Sequence, residues 1–208
     1  MSIIISKTDL FTMETYSGIA INPLAPHPDQ IEIKDIAHSL TMLCRFNGHV
    51  RHFWSVAQHS LLGVTLIQNG VLEIFSEYDK ERDFYQTQID FLLHDSAEAY
   101  LSDLITPVKR QLPLYKEYEE KLLHVIYNHF KLPFPNWVRK KQIDFLDKNI
   151  MALEAQALMP CVHWSPEPDP NFMYYVNRLN TDEKSLIYEN PLQVEQSFLI
   201  SFDFLMNL

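Results

Sequence analysis

An all-α fold with a small extended element at its N-terminal end is the class this sequence predicts. Three observations carry it. Six segments show helical apolar spacing or helix-end punctuation. A stretch near the start, marked by Gly and Pro, lacks that spacing. The composition is 47% hydrophobic and 12% aromatic, enough to bury a substantial core in a chain of 208 residues. That length suits one medium domain.

Residues Thr15 to Ile33 carry Gly18, Pro23, Pro26 and Pro28 between the short apolar runs "YSGIAI" and "QIEI". The pattern reads as a hairpin or paired extended segments with a Pro-rich turn. Asp35 can then cap a short helix, "IAHSLTMLC", that stops before Asn47-Gly48. Ser55 to Gln68, "SVAQHSLLGVTLIQ", predicts a helix with more than one buried face, ended by Asn69-Gly70. Asp83 to Leu101 predicts another, with Ile89, Leu92, Leu93 and Ala97 apolar. "TPVKRQLP" reads as a turn. "YKEYEEKLLHVIYNHF" is amphipathic and ends before Pro133, with "YKEYEEK" as a solvated face. "NWVRKKQIDFLDKNIMALEAQAL" predicts a long helix that Pro160 terminates. Residues 160–170 hold four prolines and read as a loop. The tail "PLQVEQSFLISFDFLMNL" is apolar enough to require docking as a closing helix.

No composition shift or repeat argues for a second domain. The expected organisation is a single domain over residues 1–208, with an extended element over 1–34, a helical core over 35–158, and a Pro-rich loop and closing helix over 159–208.

Bulk properties exclude several roles. The formal charge is −10, and no basic stripe of the kind a nucleic-acid partner needs is visible. No run approaches the ~18 consecutive apolar residues of a membrane span. "MSIIISKTDLF" is too short and too soon polar for a secretory signal. Two cysteines, Cys44 and Cys161, make no disulfide framework and suit a reducing cytosol. A cytoplasmic protein is expected.

The segment "LLHDSAEAYLSDLITPVK" places His94, Asp95, Glu98 and Asp103 in a run that otherwise reads as buried. On a continuous helix, His94 and Glu98 (four apart) and Asp95 and Glu98 (three apart) share a face. A buried carboxylate is costly unless it is paired or coordinates a metal. Two more polar residues interrupt core-like helices: His59 in "SVAQHSLL" and Asp147 in "IDFLDKNIM". A two-His, two-Asp set suits Mn²⁺, Co²⁺ or Zn²⁺ with room left for water. Any one of these residues taken singly is more simply a satisfied core histidine or a solvated acid. Together, in this order, they favour a metal site.

The order His59, His94-Asp95, Asp147 resembles the metal signature of the HD-domain phosphohydrolases, all-α helical bundles. "HDSAEAYLSDLITPVK" is similar to the HD-x-x-E-x-x-x-x-D-x-x-x-P-x-K run of their bacterial 5′-deoxynucleotidase branch and its short phage relatives. "RFNGHVRHFWSVAQHS" is similar to that branch's upstream segment, where an Arg-aromatic pair precedes the first metal histidine. The similarity runs from about Asp35 to Leu158. It implies His59, His94, Asp95 and Asp147 as metal ligands, with Mg²⁺ an option at a second site. It implies Glu98 as general acid/base, Asp103 near the attacked phosphorus or the sugar, Arg45 and Lys109 on phosphate, and Phe46 on ribose or base. Phe46 stands where the bacterial nucleotidases carry tryptophan, and His52 falls near a position where they carry arginine, so substrate choice is the part the resemblance leaves open.

The implied activity is hydrolysis of a small-molecule deoxynucleotide at its 5′-phosphate. The reading leans to release of triphosphate from dATP or another deoxynucleoside triphosphate, with removal of phosphate from deoxynucleoside monophosphates as the alternative. A di-iron oxygenase would need more histidines converging on the site. A catalytically silent nucleotide-binding module would have little use for Glu98. The resemblance also implies a homo-oligomer.

His124 and His129 are five apart, about 140° around a helix, so both cannot face one site and surface or helix-end positions are expected. His27, His38, His49, His52 and His163 are expected to be structural or solvated, with His49 and His52 near enough to line a pocket. Arg51 reads as a loop cation and Phe53-Trp54 as core.

Overall fold

The computed structural model describes residues 11–75, 80–163, 167–179 and 190–208, with backbone alone at 80–83. The segment read above as lacking a secretory signal, residues 1–10, lies outside the described residues, as do 164–166 of the Pro-rich loop and 180–189 ahead of the closing helix.

The fold is mostly helical, as the pattern predicts. A short antiparallel hairpin pairs β1 (Met13–Glu14) with β2 (Ala20–Ile21). Helices follow at α1 (Ile33–Met42), α2 (Val56–Gln68), α3 (Lys80–Leu93), α4 (Glu98–Leu101), α5 (Thr106–Lys109), α6 (Pro113–His129), α7 (Trp137–Leu158), α8 (Pro170–Val176) and α9 (Pro191–Met206). No helix among the described residues is long and apolar enough to cross a membrane.

Local signals explain the longest helices. Ser55 Oγ accepts from the Gln58 N–H, and the Gln58 side chain accepts from the Ser55 N–H. This capping box starts α2. Gly70, left-handed at φ 88°, lets the chain leave it. Asn136 caps α7 through the Val138 and Arg139 N–H groups. Asn190 caps α9 in the same manner, with Pro191 at the first helical position, where its missing N–H costs nothing.

The core lies in two apolar clusters that share α2 and α3. One gathers Ile36, Leu40, Val64, Leu92, Leu122 and Ile126. The other gathers Leu66, Ile67, Phe91, Leu146, Ile150 and Phe172. The tail docks as expected: Val194, Phe198, Phe202 and Leu205 bury against the first cluster. Each such side chain contributes roughly 1.5–3 kcal/mol.

Four expectations need correction. Asp35 does not cap α1, which begins two residues earlier. It is buried and accepts from the backbone N–H and hydroxyl of Ser17, both at 2.7 Å, and so ties the hairpin turn to the helix. The tight turn of the hairpin is centred on Gly18, φ 83°, whereas Pro28 opens a separate 3₁₀ turn, Pro28–Gln30. "TPVK" is a single helical turn, α5. The helix read over Asp83 to Leu101 breaks after Leu93, and α4 resumes at Glu98.

Candidate metal centre

That break creates the site. Between α3 and α4 the backbone tightens to i→i−3 bonding: Ser96 donates to Leu93 and Glu98 to Asp95, each at 2.9 Å. The His94 side chain reinforces the turn, because its Nδ1 lies 2.6 Å from the Phe91 carbonyl. His94 and Asp95 therefore sit on a corner facing α2, and the four-residue helical spacing argued from sequence does not position them.

A second device presents the N-terminal end of α2. Cys44 and Ser55 form an isolated antiparallel bridge, and the Arg45 N–H donates to the Trp54 carbonyl at 2.8 Å. The base of the 45–54 loop is thereby pinched, with Arg45 opposite Trp54 and His59 one turn further on. The loop turns through three left-handed residues, Phe46 (φ 55°), Asn47 (φ 52°) and Gly48 (φ 77°). An aromatic residue in that region carries strain. Arg51 pins the loop to the end of α7, its N–H donating to the Leu158 carbonyl and its Nη2 to the Pro160 carbonyl. It is a loop cation, as read. Trp54 is core, as read, but Phe53 is exposed, so the core reading fails for it.

His59, His94 and Asp95 each bring a ligand atom to one locus, all within 4.8 Å of one another. Asp147 joins from α7, its Oδ1 3.3 Å from His59 Nε2, with the side chain 41% exposed. The imidazoles are oriented for the purpose. A carbonyl can only accept, so the contact with Phe91 puts a proton on His94 Nδ1 and leaves the Nε2 lone pair free. His59 Nδ1 meets the Glu154 carboxylate at 2.9 Å, which orients that ring so that its Nε2 faces the cluster. Both Nε2 atoms are buried without a well-formed hydrogen bond, each facing a carboxylate oxygen instead, His59 that of Asp147 at 3.3 Å and His94 that of Asp95 at 3.2 Å. Buried polar atoms are rarely left so, and two imidazole nitrogens beside a carboxylate are a donor set for a borderline divalent cation. The residues fit a metal ion.

Electrostatics agree. Burial opposes charge on Asp95, but His94, His59 and Arg45 hold its carboxyl well below the usual range. Burial also opposes charge on Asp147, and contact with His59 holds it down. Burial and the Arg45 cation push His59 down, but Glu154 and Asp147 outweigh them and lift the ring to about 9. A cation entering there must displace that proton.

Glu98 behaves in the opposite way. It is 3% exposed. Burial first, then the charges of Asp95 and Asp103, raise its carboxyl well above the ordinary range, with Lys109 and Arg45 opposing. Its Oε1 accepts from Lys109 Nζ at 3.1 Å, and its Oε2 has no partner. Asp103 is half-buried, and burial and the charge of Asp95 raise its carboxyl against the pull of Arg45 and Lys109. It follows Ser102, whose backbone at φ 73°, ψ 154° occupies a region normally reserved for glycine.

Two residues read from sequence as phosphate contacts are already engaged. Lys109 reaches the site through carboxylates, 3.1 Å from Glu98 and 2.7 Å from Glu119. Arg45 donates through Nε to Glu154 at 2.9 Å, and its Nη1 lies 3.7 Å from Asp95. Phe46 packs beside the Arg45 guanidinium, 5.8 Å from its ring centroid.

Glu154 is the residue the sequence reading missed. It is buried, and its carboxylate accepts from Arg45, Trp54 Nε1 at 2.7 Å and His59. Burial works against its charge, yet Arg45, His59 and Trp54 hold it below the usual range. The available signal was spacing: Glu154 follows Asp147 by seven residues, two helical turns, so the two share a face of α7.

The other histidines stand apart from the cluster. His124 is exposed and stacked on Phe134, and His129 ends α6. His38 pairs with Glu195 at 2.9 Å and stacks on Tyr16, His27 caps the 3₁₀ turn, and His49, His52 and His163 are exposed.

Fold and site together define a mostly helical protein with a His/Asp cluster able to hold a metal ion. The uncharacterized protein YfdR of Escherichia coli K12 is 36% identical over 146 residues, covering 70% of this chain and 71% of YfdR. The chain belongs to the same family. The uncharacterized protein RCAP_rcc00048 of Rhodobacter capsulatus is 37% identical over 120 residues, 56% of this chain and 57% of that protein. No protein-family model matches the chain.

Proposed function

We propose that this protein is a metal-dependent phosphohydrolase of the HD-domain type, acting on deoxynucleotide 5′-phosphates. Release of triphosphate from dATP or another deoxynucleoside triphosphate is the leading form of the reaction, and release of phosphate from a monophosphate is the alternative. One observation carries the reading: ligand atoms of the His59 and His94 imidazoles and of the Asp95 carboxylate converge within 4.8 Å, next to a buried Glu98 that favours its protonated form.

His59, His94, Asp95 and Asp147 would hold the ion. A divalent ion there would supply a Lewis acid for a phosphoryl oxygen and acidify water at the site from about 15.7 toward 7. Glu98 is the proton carrier. A desolvated carboxyl raised well above its ordinary range can deliver a proton to the leaving oxygen and recover one from water. Lys109 positions Glu98, since its ammonium is divided between Glu98 and Glu119. Arg45 backs Asp95 and presents cationic charge toward the site, which suits phosphoryl transfer, where positioning and electrostatics do most of the work.

The test is incubation of pure protein with Mn²⁺, Co²⁺ or Zn²⁺ and a nucleotide panel, resolving phosphate from triphosphate. Metal-dependent release of either supports the reading and selects the substrate form. No turnover across the panel with the ion bound would defeat it. Glu98→Ala should lower turnover about 10²–10⁴-fold with metal still bound. Unchanged turnover would remove Glu98 from its assigned role.

A further inference from the structure

The His59 imidazole touches α7 twice. Its Nε2 faces Asp147 at 3.3 Å and its Nδ1 faces Glu154 at 2.9 Å. Seven residues of helix advance about 10 Å, so the ring bridges two successive turns of α7 with one carboxylate on each nitrogen. The two acids are not equivalent. Asp147 is half-exposed and stands on the Nε2 side of the ring, toward the cluster. Glu154 is buried behind the ring and is held by three donors: His59 Nδ1 and Trp54 Nε1 on Oε1, and Arg45 Nε on Oε2.

We infer that Glu154 is a positioning residue that preforms the cation site on two sides at once. Through Nδ1 it fixes the His59 ring plane and makes Nε2 the nitrogen that faces the ion. Through Arg45 it holds a guanidinium against the second ligand, Asp95, at 3.7 Å. Trp54 contributes no ligand contact. It donates to the Glu154 oxygen that also meets His59, while the two contacts that matter for the ion, Glu154 with His59 and with Arg45, do not run through it. This inference rests on the metal reading of His59, His94 and Asp95, and it adds to that reading a residue outside the ligand set whose loss should weaken ion uptake.

The experiment is titration of metal-free full-length protein with Co²⁺, followed by the visible absorption of the bound ion, in the wild type, Glu154→Gln and Trp54→Phe. Gln keeps the size of Glu but accepts through one oxygen only, so it cannot serve His59, Trp54 and Arg45 together. Glu154→Gln should weaken Co²⁺ binding about 10–100-fold and change the absorption envelope as the His59 ring reorients. Trp54→Phe removes a donor to the same buried carboxylate while leaving His59 and Arg45 on it, so its Co²⁺ affinity should stay near wild type.

A Glu154→Gln protein that binds Co²⁺ as tightly as wild type, with the same spectrum, overturns the inference. So does equal weakening in Trp54→Phe, because the effect would then follow core damage instead of ligand orientation. Should Glu154→Gln fail to fold, ¹⁵N spectra of the Zn²⁺-loaded wild type decide: the His59 proton on Nδ1 supports the role, and on Nε2 it ends it. A wild type that takes up no ion at all would overturn the metal reading itself, and this inference with it.

Discussion

Two buried acid–arginine arrangements draw on α7, one with α3 and one with the 45–54 loop, and they have opposite characters. Near the C-terminal end of α3, Asp90 is 0% exposed and pairs with Arg139 Nε at 2.5 Å, with Gln86 on its other oxygen at 3.1 Å. In the candidate site, Glu154 pairs with Arg45 and takes two further donors. Burial wins at Asp90 and raises its carboxyl to about 6, against the pull of Arg139 and Gln86. Burial loses at Glu154, which is held below the ordinary range. Three donors, one of them an imidazole lifted to about 9, make the difference. Both Asp90 oxygens are satisfied, one by Arg139 and the other by Gln86. The site leaves His59 Nε2, His94 Nε2 and Glu98 Oε2 unmet. Buried polarity that closes on itself joins helices, and buried polarity with lone pairs left over is arranged for something else.

The largest effect should come from the ligands. His94→Ala removes a nitrogen whose orientation α3 fixes through Phe91, and uptake of Co²⁺ or Zn²⁺ at this site should be lost, with the proposed hydrolysis lost in parallel. The same uptake measured on Asp90→Asn should match wild type. Loss of metal in Asp90→Asn would erase the distinction between the two arrangements.

Asp90 should instead govern stability against pH. Its native pKa, about 6, is raised above the unfolded value of about 3.9. The native state therefore holds the proton more tightly, so the contribution is fully present below the unfolded value and is lost as pH rises through 6. Urea unfolding between pH 4 and 7 should show wild type losing up to about 3 kcal/mol relative to Asp90→Asn. A difference that does not change with pH would contradict the assigned sign.

A smaller effect links core to site. A Cβ on Gly63 of α2 would lie 1.9 Å from a ring carbon of Phe91, and that ring sits 4.5 Å from the His94 ring. Gly63→Ala should cost about 1–3 kcal/mol as overpacking and should weaken Co²⁺ binding slightly, because Phe91 must move and its carbonyl orients His94. Destabilisation with unchanged metal affinity would separate the packing from the site.

Much of this architecture was legible before any coordinates. α2, α6, α7 and α9 announce themselves through caps, N-terminal prolines and apolar spacing, all local chemistry. His59 and Asp147 were visible as polar interruptions of core-like helices, and the structure brings them together. What local reasoning missed is tertiary. "LLHDSAEAYL" consists largely of residues that tolerate helix, and nothing in its propensities breaks it. The break depends on the His94 side chain meeting the Phe91 carbonyl and on the corner facing α2. Asp35 has the residue type of a cap but is held by Ser17, eighteen residues earlier. Lys109 carried a charge suited to phosphate, and only packing shows that Glu98 and Glu119 share it. Glu154 looked like one more acid on a long helix, because its partners, Arg45, Trp54 and His59, come from a loop and helix about a hundred residues away.

The most direct test is a crystal of the Zn²⁺-loaded protein with diffraction collected at the zinc absorption edge. The account predicts one anomalous peak about 2.0–2.2 Å from His59 Nε2, His94 Nε2 and an Asp95 carboxylate oxygen, with Glu154 still on His59 Nδ1. A peak elsewhere, or none at these three groups in protein shown to carry zinc, would contradict it.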